Sequence, residues 1–453
     1  MNDLPIGWVK TTLGAVIDYG KTLKAQPIEI PDDAWVLELE DIEKDTSQLL
    51  QRLTFAQRLS KSTKNQFSKG DVLYGKLRPY LNKVLLADQD GFCTTEIVPL
   101  KPNLAIQGNY LFYWLKHPEF LGYVDSVSHG IQMPRLGTKE GLESPLVLAP
   151  LGEQGRIVEK LDELLGRSRR AREELQHIPK LIQRYKQAVL AAAFRGDLTA
   201  DWRDNTDLHK NSLALPVEWK WQCISDIAEV ASNLVEPSEV MDLPHIAPNH
   251  IEPGKPYLLP FKTVREDGVI SPKHRFFPGQ IIYSKIRPYL RKAVIATFDG
   301  VCSADMYPIN ARCNTKYLLY WLISDDFNSF ALEYQGRTVL PKINQAGLYS
   351  VPIPIPSLEE QKEIVRRVEE RFKAIEAIEQ NYQNAIQLLD RLDQATLAKA
   401  FRGQLVPQDP NDEPASVLLE RIRAQRASQP PARKRKAKTP SAIAPTQLRL
   451  DCP

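Results

Sequence analysis

The chain has 453 residues, 43% of them hydrophobic, with 59 Lys and Arg against 56 Asp and Glu and a formal net charge of +3. That length exceeds what one hydrophobic core usually organises, so two or more domains are expected. No apolar run approaches the roughly 20 residues of a membrane span, and the opening MNDLPIGWVKTTLG has neither the basic start nor the apolar stretch of a secretory leader, so a cytoplasmic protein without membrane partners is expected. Five scattered cysteines (Cys93, Cys223, Cys302, Cys313, Cys452) show no C-x-x-C spacing, which argues against a zinc ribbon or a disulfide framework. The small net charge neither demands nor rules out nucleic acid, because phosphate binding depends on where cations cluster.

The first landmark is LPIGW at Leu4 to Trp8, and the segment from Pro27 to Ser68 follows it. That segment contains QRLTFAQRLSKSTKNQ, in which Arg52, Arg58, Lys61, Lys64 and Asn65 could meet bases or phosphates, with no pattern that selects among them. Next comes GDVLYGKLRPYLNK, Gly70 to Lys83, which nearly spells a nucleotide-binding loop. Such a loop needs Ser or Thr directly after its Lys to hold Mg, and here Leu77 stands there. A second copy, GQIIYSKIRPYLRK from Gly279, has Ser284 where the first has Gly75. What the copies share is Tyr-x-Lys-x-Arg-Pro-Tyr-Leu-x-Lys, so cations and a tyrosine are the common feature. The candidates are Lys76, Arg78, Tyr80 and Lys83, answered by Lys285, Arg287, Tyr289, Arg291 and Lys292. If the strand ends at the Lys and Arg-Pro-Tyr makes the turn, these side chains lie at a strand tip within reach of phosphates. The competing role is bracing a shared fold, since identical residues cannot tell two different sequences apart.

GDVLYGKL, KVLLA and EIVPL read as strands, as do GQIIYSKI, KAVIA and DMYPI in the second copy, while NYLFYWLKHPEFLGYV has helical spacing. A polar loop at Ser128 to Leu142 offers Gln132, Arg135 and Lys139, and its counterpart at Tyr334 to Leu348 offers Arg337, Thr338 and Lys342. Pro-punctuated segments, SPLVLAPLGEQ and VPIPIPSLEEQ, then deliver the chain to long helical patterns. In the first, steps of four and three residues run through Ile157, Leu161, Leu164, Leu175, Ile178, Ile182, Tyr185 and Val189. In the second they run through Ile364, Val368, Ile375, Ile378, Tyr382, Leu389 and Leu392. Two matched stripes of this length predict a coiled coil, with Pro179 expected to bend or break the first helix. Both patterns end alike, in LAAAFRGDL at Leu190 and LAKAFRGQL at Leu397. A basic run, PARKRKAKTP at Pro431 to Pro440, is expected to be a solvated tail.

The chain is therefore a tandem duplication. The expected fold is α+β: two similar α/β domains separated by a long antiparallel two-helix coiled coil, with pseudo-twofold symmetry. The expected divisions are a first domain over 1–151, spacer helix 1 over 152–200, a linker over 201–214, a second domain over 215–357, spacer helix 2 over 358–405, and a tail with a short helix over 406–453. No nuclease carboxylate set is present: Asp90 and Glu96 are followed by Val98, and Asp299 and Asp305 by Tyr307. No [DNS]-P-P-[YFW] methyltransferase motif or metal-spaced His set appears either, so any catalysis must come from elsewhere.

The ordered set LPIGW, YGKLRPYL, PLGEQ and PSLEEQ leading into long helices, AFRGDL and AFRGQL, and the late EPASVLLERIRAQR resembles the specificity subunit of type I restriction-modification systems, over nearly the whole chain to about Arg426. The resemblance implies a non-catalytic subunit whose two target recognition domains read a bipartite, asymmetric site in double-stranded DNA. It implies docking of two methyltransferase subunits, which bind S-adenosylmethionine, and of restriction subunits, which use ATP and Mg. No cofactor is expected in this chain itself.

Overall fold

The computed structural model describes residues 4–128, 130, 133–203, 215–333 and 341–428. It divides into two compact units, Met1–Arg172 with Gln387–Pro453, and Glu173–Ile386. Among the described residues, no helix is long and apolar enough to cross a membrane.

In the first unit, strand Val9–Thr12 pairs antiparallel with Pro145–Leu148, so the start and end of the globular part close on each other. A three-stranded antiparallel sheet sets Val72–Gly75 between Val84–Leu86 and Ile97–Leu100. All four residues of Val72–Gly75 are buried, as a central strand covered on both faces requires. A second sheet runs Lys24–Ala25, Lys64–Phe67, Gly91–Thr94, Val36–Leu37, its last pair parallel. The helical stretch is two helices, Gly108–Trp114 and Pro118–Val127. Pro118 opens the second, where its missing N–H costs nothing, and His117 Nδ1 caps it by accepting from Glu119 N at 3.2 Å.

The second unit repeats this frame. Strand Ile281–Ser284 lies between Ala293–Ile295 and Met306–Ala311, and helices Thr315–Leu322 and Asp325–Glu333 follow. Its second sheet runs Leu234–Val235, Lys273–Phe276, Gly300–Cys302, Pro244–Ile246, Lys262–Thr263, again with a parallel pair between Gly300–Cys302 and Pro244–Ile246. The segments at Pro27 to Ser68 and Pro237 to Arg275, which have no convincing alignment in sequence, thus share a fold. Each has a 3-10 turn at Pro27–Glu29 or Pro237–Glu239, a second at Leu39–Asp41 or Pro248–His250, and a bridge at Ile42 and Leu49 or Ile251 and Leu258. Backbone hydrogen bonds carry these matches and tolerate almost any side chain. Beyond the bridge the match continues, Thr54 bridging Trp35 as Thr263 pairs with Pro244, and the first segment then turns through the short helix Phe55–Arg58.

The repeated motifs turn out to be joinery. Trp8 of LPIGW donates its indole N–H to Glu153 at 2.8 Å, and Trp219 of the matching LPVEW at Leu215 to Trp219 donates to Glu360 at 2.9 Å. Gln154 and Gln361, the next residues, donate to the carbonyls of Ala149 and Pro356. The phenylalanines of the two AFRG motifs are plugs: Phe401 meets Trp114 edge-on at 5.1 Å, and Phe194 meets Trp321 at 4.8 Å. The second spacer helix therefore ends in the first domain, and the first spacer helix in the second.

The helices pair antiparallel within each unit. In the first unit Glu153 accepts from Gln408 at 3.2 Å while Arg172, nearly twenty residues on, reaches back to Asp390 and Asp393 at 2.8 and 2.7 Å. In the second, Lys186 meets Glu379 at 3.3 Å, whereas Arg203 meets Glu360 at 2.5 Å. The first spacer helix is broken as expected, into Leu151–Leu175 and Ile178–Arg195, with Pro179 in the opening turn of the latter. The second is continuous over Leu358–Ala400.

The apolar stripe departs from the expected residues near the break. Ile157, Leu161, Ile182, Val189, Ile364, Val368 and Ile375 are buried, and Leu164, Leu175, Ile178, Tyr382 and Leu389 are half-buried. Tyr185, Ile378 and Leu392, expected in the seam, are about half exposed, at 53%, 50% and 55%. A 3.6-residue helix drifts about 20° per heptad against a strict seven-residue repeat, and the break resets the phase. Beyond Ile182 the inward position accordingly falls on Lys186, 7% exposed. The C-terminal helix Ala415–Ser428 buries Ala415, Leu418, Leu419 and Ile422 in the core of the first unit, and Arg426 donates to the Gly14 carbonyl at 2.8 Å.

Candidate nucleic-acid interface

The Tyr-x-Lys-x-Arg-Pro-Tyr motif forms the same tip in both units. After strand Val72–Gly75 the chain turns at Arg78 and makes the 3-10 turn Pro79–Leu81; after Ile281–Ser284 it turns at Arg287 and makes Pro288–Leu290. Both arginines sit in the left-handed region, at φ 49° and 46° with ψ 59° and 60°. That region costs a side-chain-bearing residue roughly 1–2 kcal/mol. Pro79 and Pro288 disfavour a right-handed helical backbone at the preceding residue, and neighbours hold the conformation. Arg78 N donates to Pro134 O at 2.7 Å, Leu136 N to Lys76 O at 3.0 Å, Arg287 N to Pro341 O at 2.8 Å and Ile343 N to Lys285 O at 3.0 Å. The polar loop and the turn, separate candidates in the sequence, are thereby joined into one surface in each unit.

The side chains at this tip divide sharply. Arg78 and Arg287 are exposed and have no side-chain partner among the described residues, and Tyr80 and Tyr289 beside them are 58% and 46% exposed. Lys76 is half-buried and also unpaired among the described residues. Lys285 lies 4.8 Å from the centre of the Tyr307 ring, and burial first, then the nearby Lys342 ammonium, lowers its pKa, with Asp305 opposing. Burial and then Arg287 likewise lower that of Lys292. In the second unit Arg287 and Lys292, with Asp305, line an open cleft between the Arg-Pro-Tyr turn and the Pro248–Asn249 turn. An anion entering there would relieve the repulsion between Arg287 and Lys292.

Other candidates are already engaged. Lys83 donates to Leu39 O at 2.7 Å and Lys292 to Pro248 O at 2.6 Å, so both tie the tip to the neighbouring turn. Arg291 is held by Asp325. Arg135 pairs with Glu96 and Lys342 with Asp305, each at 3.1 Å, and these ion pairs would have to loosen before the cations met phosphate. Lys139 is exposed on the short helix Thr138–Glu143. Gln132, Arg337 and Thr338 lie outside the described residues, as does the basic run at 431–440.

Within the first variable segment, most of the polar residues named from the sequence are braces. Arg52 pairs with Asp88 at 2.6 Å and lies over the Trp35 ring at 4.3 Å, Arg58 is buried against Asp41, Lys64 pairs with Glu38 at 2.7 Å, and Asn65 donates to Ile97 O at 2.9 Å. Lys61 remains exposed. Sequence reasoning missed a further set: Lys255, which meets Glu379 at 2.9 Å, and Tyr257, which hydrogen-bonds Glu376. These tie the variable segment of the second unit to its spacer helix. No local pattern announces such pairs, because the partners lie more than a hundred residues apart.

The left-handed arginines give a test that separates strain from contact. Arg287→Gly and Arg287→Ala should weaken DNA binding equally, while the Gly variant is the more stable of the two by about 1 kcal/mol, because only Ala keeps the strain. Paired thermal melts and DNA titrations measure both effects.

Residues 216–388 match the family model of the type I restriction modification DNA specificity domain. The EcoDI type I restriction enzyme specificity subunit of Escherichia coli is 41% identical over 339 residues, covering 70% of this chain and 76% of that relative. The EcoBI specificity subunit of Escherichia coli is 28% identical over 355 residues, 71% of this chain and 72% of the relative. Among solved structures, a chain from work on complex assembly and conformational transition of the type I R-M system superposes with a TM-score of 0.70 at 22% identity, covering 89% of this chain and 99% of that one. The HsdS subunit of Thermoanaerobacter tengcongensis gives 0.51, also at 22% identity, over 89% and 98%. The class is thus a duplicated, non-catalytic DNA-recognition subunit. The chain belongs to the family of type I restriction enzyme specificity subunits, in which S-adenosylmethionine and ATP chemistry resides in the partner subunits.

Proposed function

We propose that each unit carries one target recognition domain, over 1–151 and 215–357, and that the two read different halves of a bipartite DNA site. At each tip Lys76 and Arg78, or Lys285 and Arg287, take backbone phosphates, with Tyr80 or Tyr289 alongside. The observation that carries this reading is the pair of strained arginines, without a side-chain partner among the described residues, at the same point of both units. Residues common to the two domains suit sequence-independent positioning, since phosphate contacts fix register without reading bases. Base readout then falls to the variable segments at 27–68 and 237–275, where the two domains share little sequence. The helices at 152–200 and 358–405 space the domains and dock two methyltransferase subunits, with restriction subunits joining that core. The assembly works where chromosomal DNA is, in the cytoplasm.

Titrating the complex of this chain with its methyltransferase against a duplex carrying the site, and against the same duplex with one half scrambled, tests the division of labour. Loss of either half should cost about 1–3 kcal/mol for each mismatched base pair. Equal affinity for all three duplexes would contradict it.

A further inference from the structure

The ion pairs between the spacer helices carry a polarity that the duplication alone does not supply. The two helices align without a gap from Glu153 and Glu360 to Phe194 and Phe401, so that Arg172 corresponds to Glu379 and Lys186 to Asp393. In the first unit Arg172 meets Asp390 and Asp393 at 2.8 and 2.7 Å; in the second Lys186 meets Glu379 at 3.3 Å, where Lys255 also pairs. These are the same pair of positions seen twice, with charge exchanged. Both times the first helix supplies the cation and the second the anion. The surrounding sequence agrees: seven basic against two acidic residues lie between Gly166 and Leu190, and two basic against four acidic between Lys373 and Leu397.

The apolar stripes alone cannot sort the helices, because Ile157, Leu161, Ile182 and Val189 resemble Ile364, Val368 and Leu389 in character. Consider a first helix pairing with the first helix of another copy in the same antiparallel register. Arg172 of each would face Lys186 of the other; two second helices would set Glu379 against Asp393 twice. Like charges flanking a helix seam disfavour that partner and opposite charges favour it. We propose that this charge polarity is a sorting device: the first spacer helix accepts the second and refuses a second copy of itself. The first helix is synthesised before its partner, with its stripe open to other nascent copies. Refusal there preserves a molecule with two different recognition domains, where symmetric pairing would join two identical ones. Such sorting operates whichever residues touch DNA.

Two full-length variants of equal charge test it. Lys186→Glu with Asp390→Gln and Asp393→Lys opposes like charges within the chain and makes each helix complementary to its own copy. Arg172→Glu with the same two changes keeps an opposite-charge pair at both places within the chain. Native mass spectrometry should find the first variant dimeric and the second monomeric. Two monomers with the same melting temperature would overturn the proposal. Should the first variant fail to accumulate, Arg172→Glu alone decides: it should melt several degrees below the second variant, and equal melting would overturn the proposal.

Discussion

Replacing Lys285 and Arg287 together by glutamine should lower the affinity of the assembled complex for duplex DNA about 10- to 100-fold on every sequence, and reduce the slope of log K against log salt by about two. Each cation that neutralises a phosphate releases counterions, so its loss appears as both weaker binding and weaker salt dependence. Arg287 has no side-chain partner among the described residues, and Lys285 packs its ammonium over the Tyr307 ring without a hydrogen-bonded side-chain partner among them, so the fold should tolerate the change. Discrimination between the cognate site and a scrambled one should be unchanged, because the same residues stand at both tips. Unchanged affinity with a lowered melting temperature would instead make these residues braces. Salt-dependent binding titrations on cognate and scrambled duplexes measure the effect.

Exchanging residues 43–62 for the matching segment of a relative with another specificity should change one half of the recognised sequence and leave the other half and the gap as they were. The old half-site should lose at least about 100-fold in affinity, since each mismatched base pair costs about 1–3 kcal/mol and a half-site holds several. The structure sets the graft's limits. Lys64–Phe67 belongs to the sheet and must stay, with Lys64 paired to Glu38 and Asn65 bonded to Ile97. Arg58 must be matched to Asp41, or a buried carboxylate is left uncompensated. A change in both half-sites would contradict the assignment of readout to this segment.

Much of this architecture is legible in the sequence because duplication prints it twice. The strands around Tyr74 and Tyr283, the break at Pro179 and the antiparallel helices follow from motif order and periodicity. The common fold of the variable segments is not legible, because it rests on backbone ladders and turns that fix no side chain. Nor is the division of the basic residues into free and engaged. Arg78 and Lys83 look alike in the motif, yet Lys83 is committed to Leu39 O and Arg78 to nothing described. Likewise Arg58 reads as an exposed contact until Asp41 is placed beside it by the fold. The exposure of Tyr185, Ile378 and Leu392 has the same origin: a heptad count ignores the drift of a real helix and the reset at its break.

That two unlike domains of one chain define a single bipartite sequence is open to direct measurement. Adenine methylation mapped by single-molecule sequencing tests it, comparing a host carrying this chain and its neighbouring methyltransferase with a host carrying the methyltransferase alone. A new methylated motif of two different half-sites around an unspecified gap should appear only when this chain is expressed. A continuous motif, a symmetric one, or methylation that is the same without this chain would contradict it.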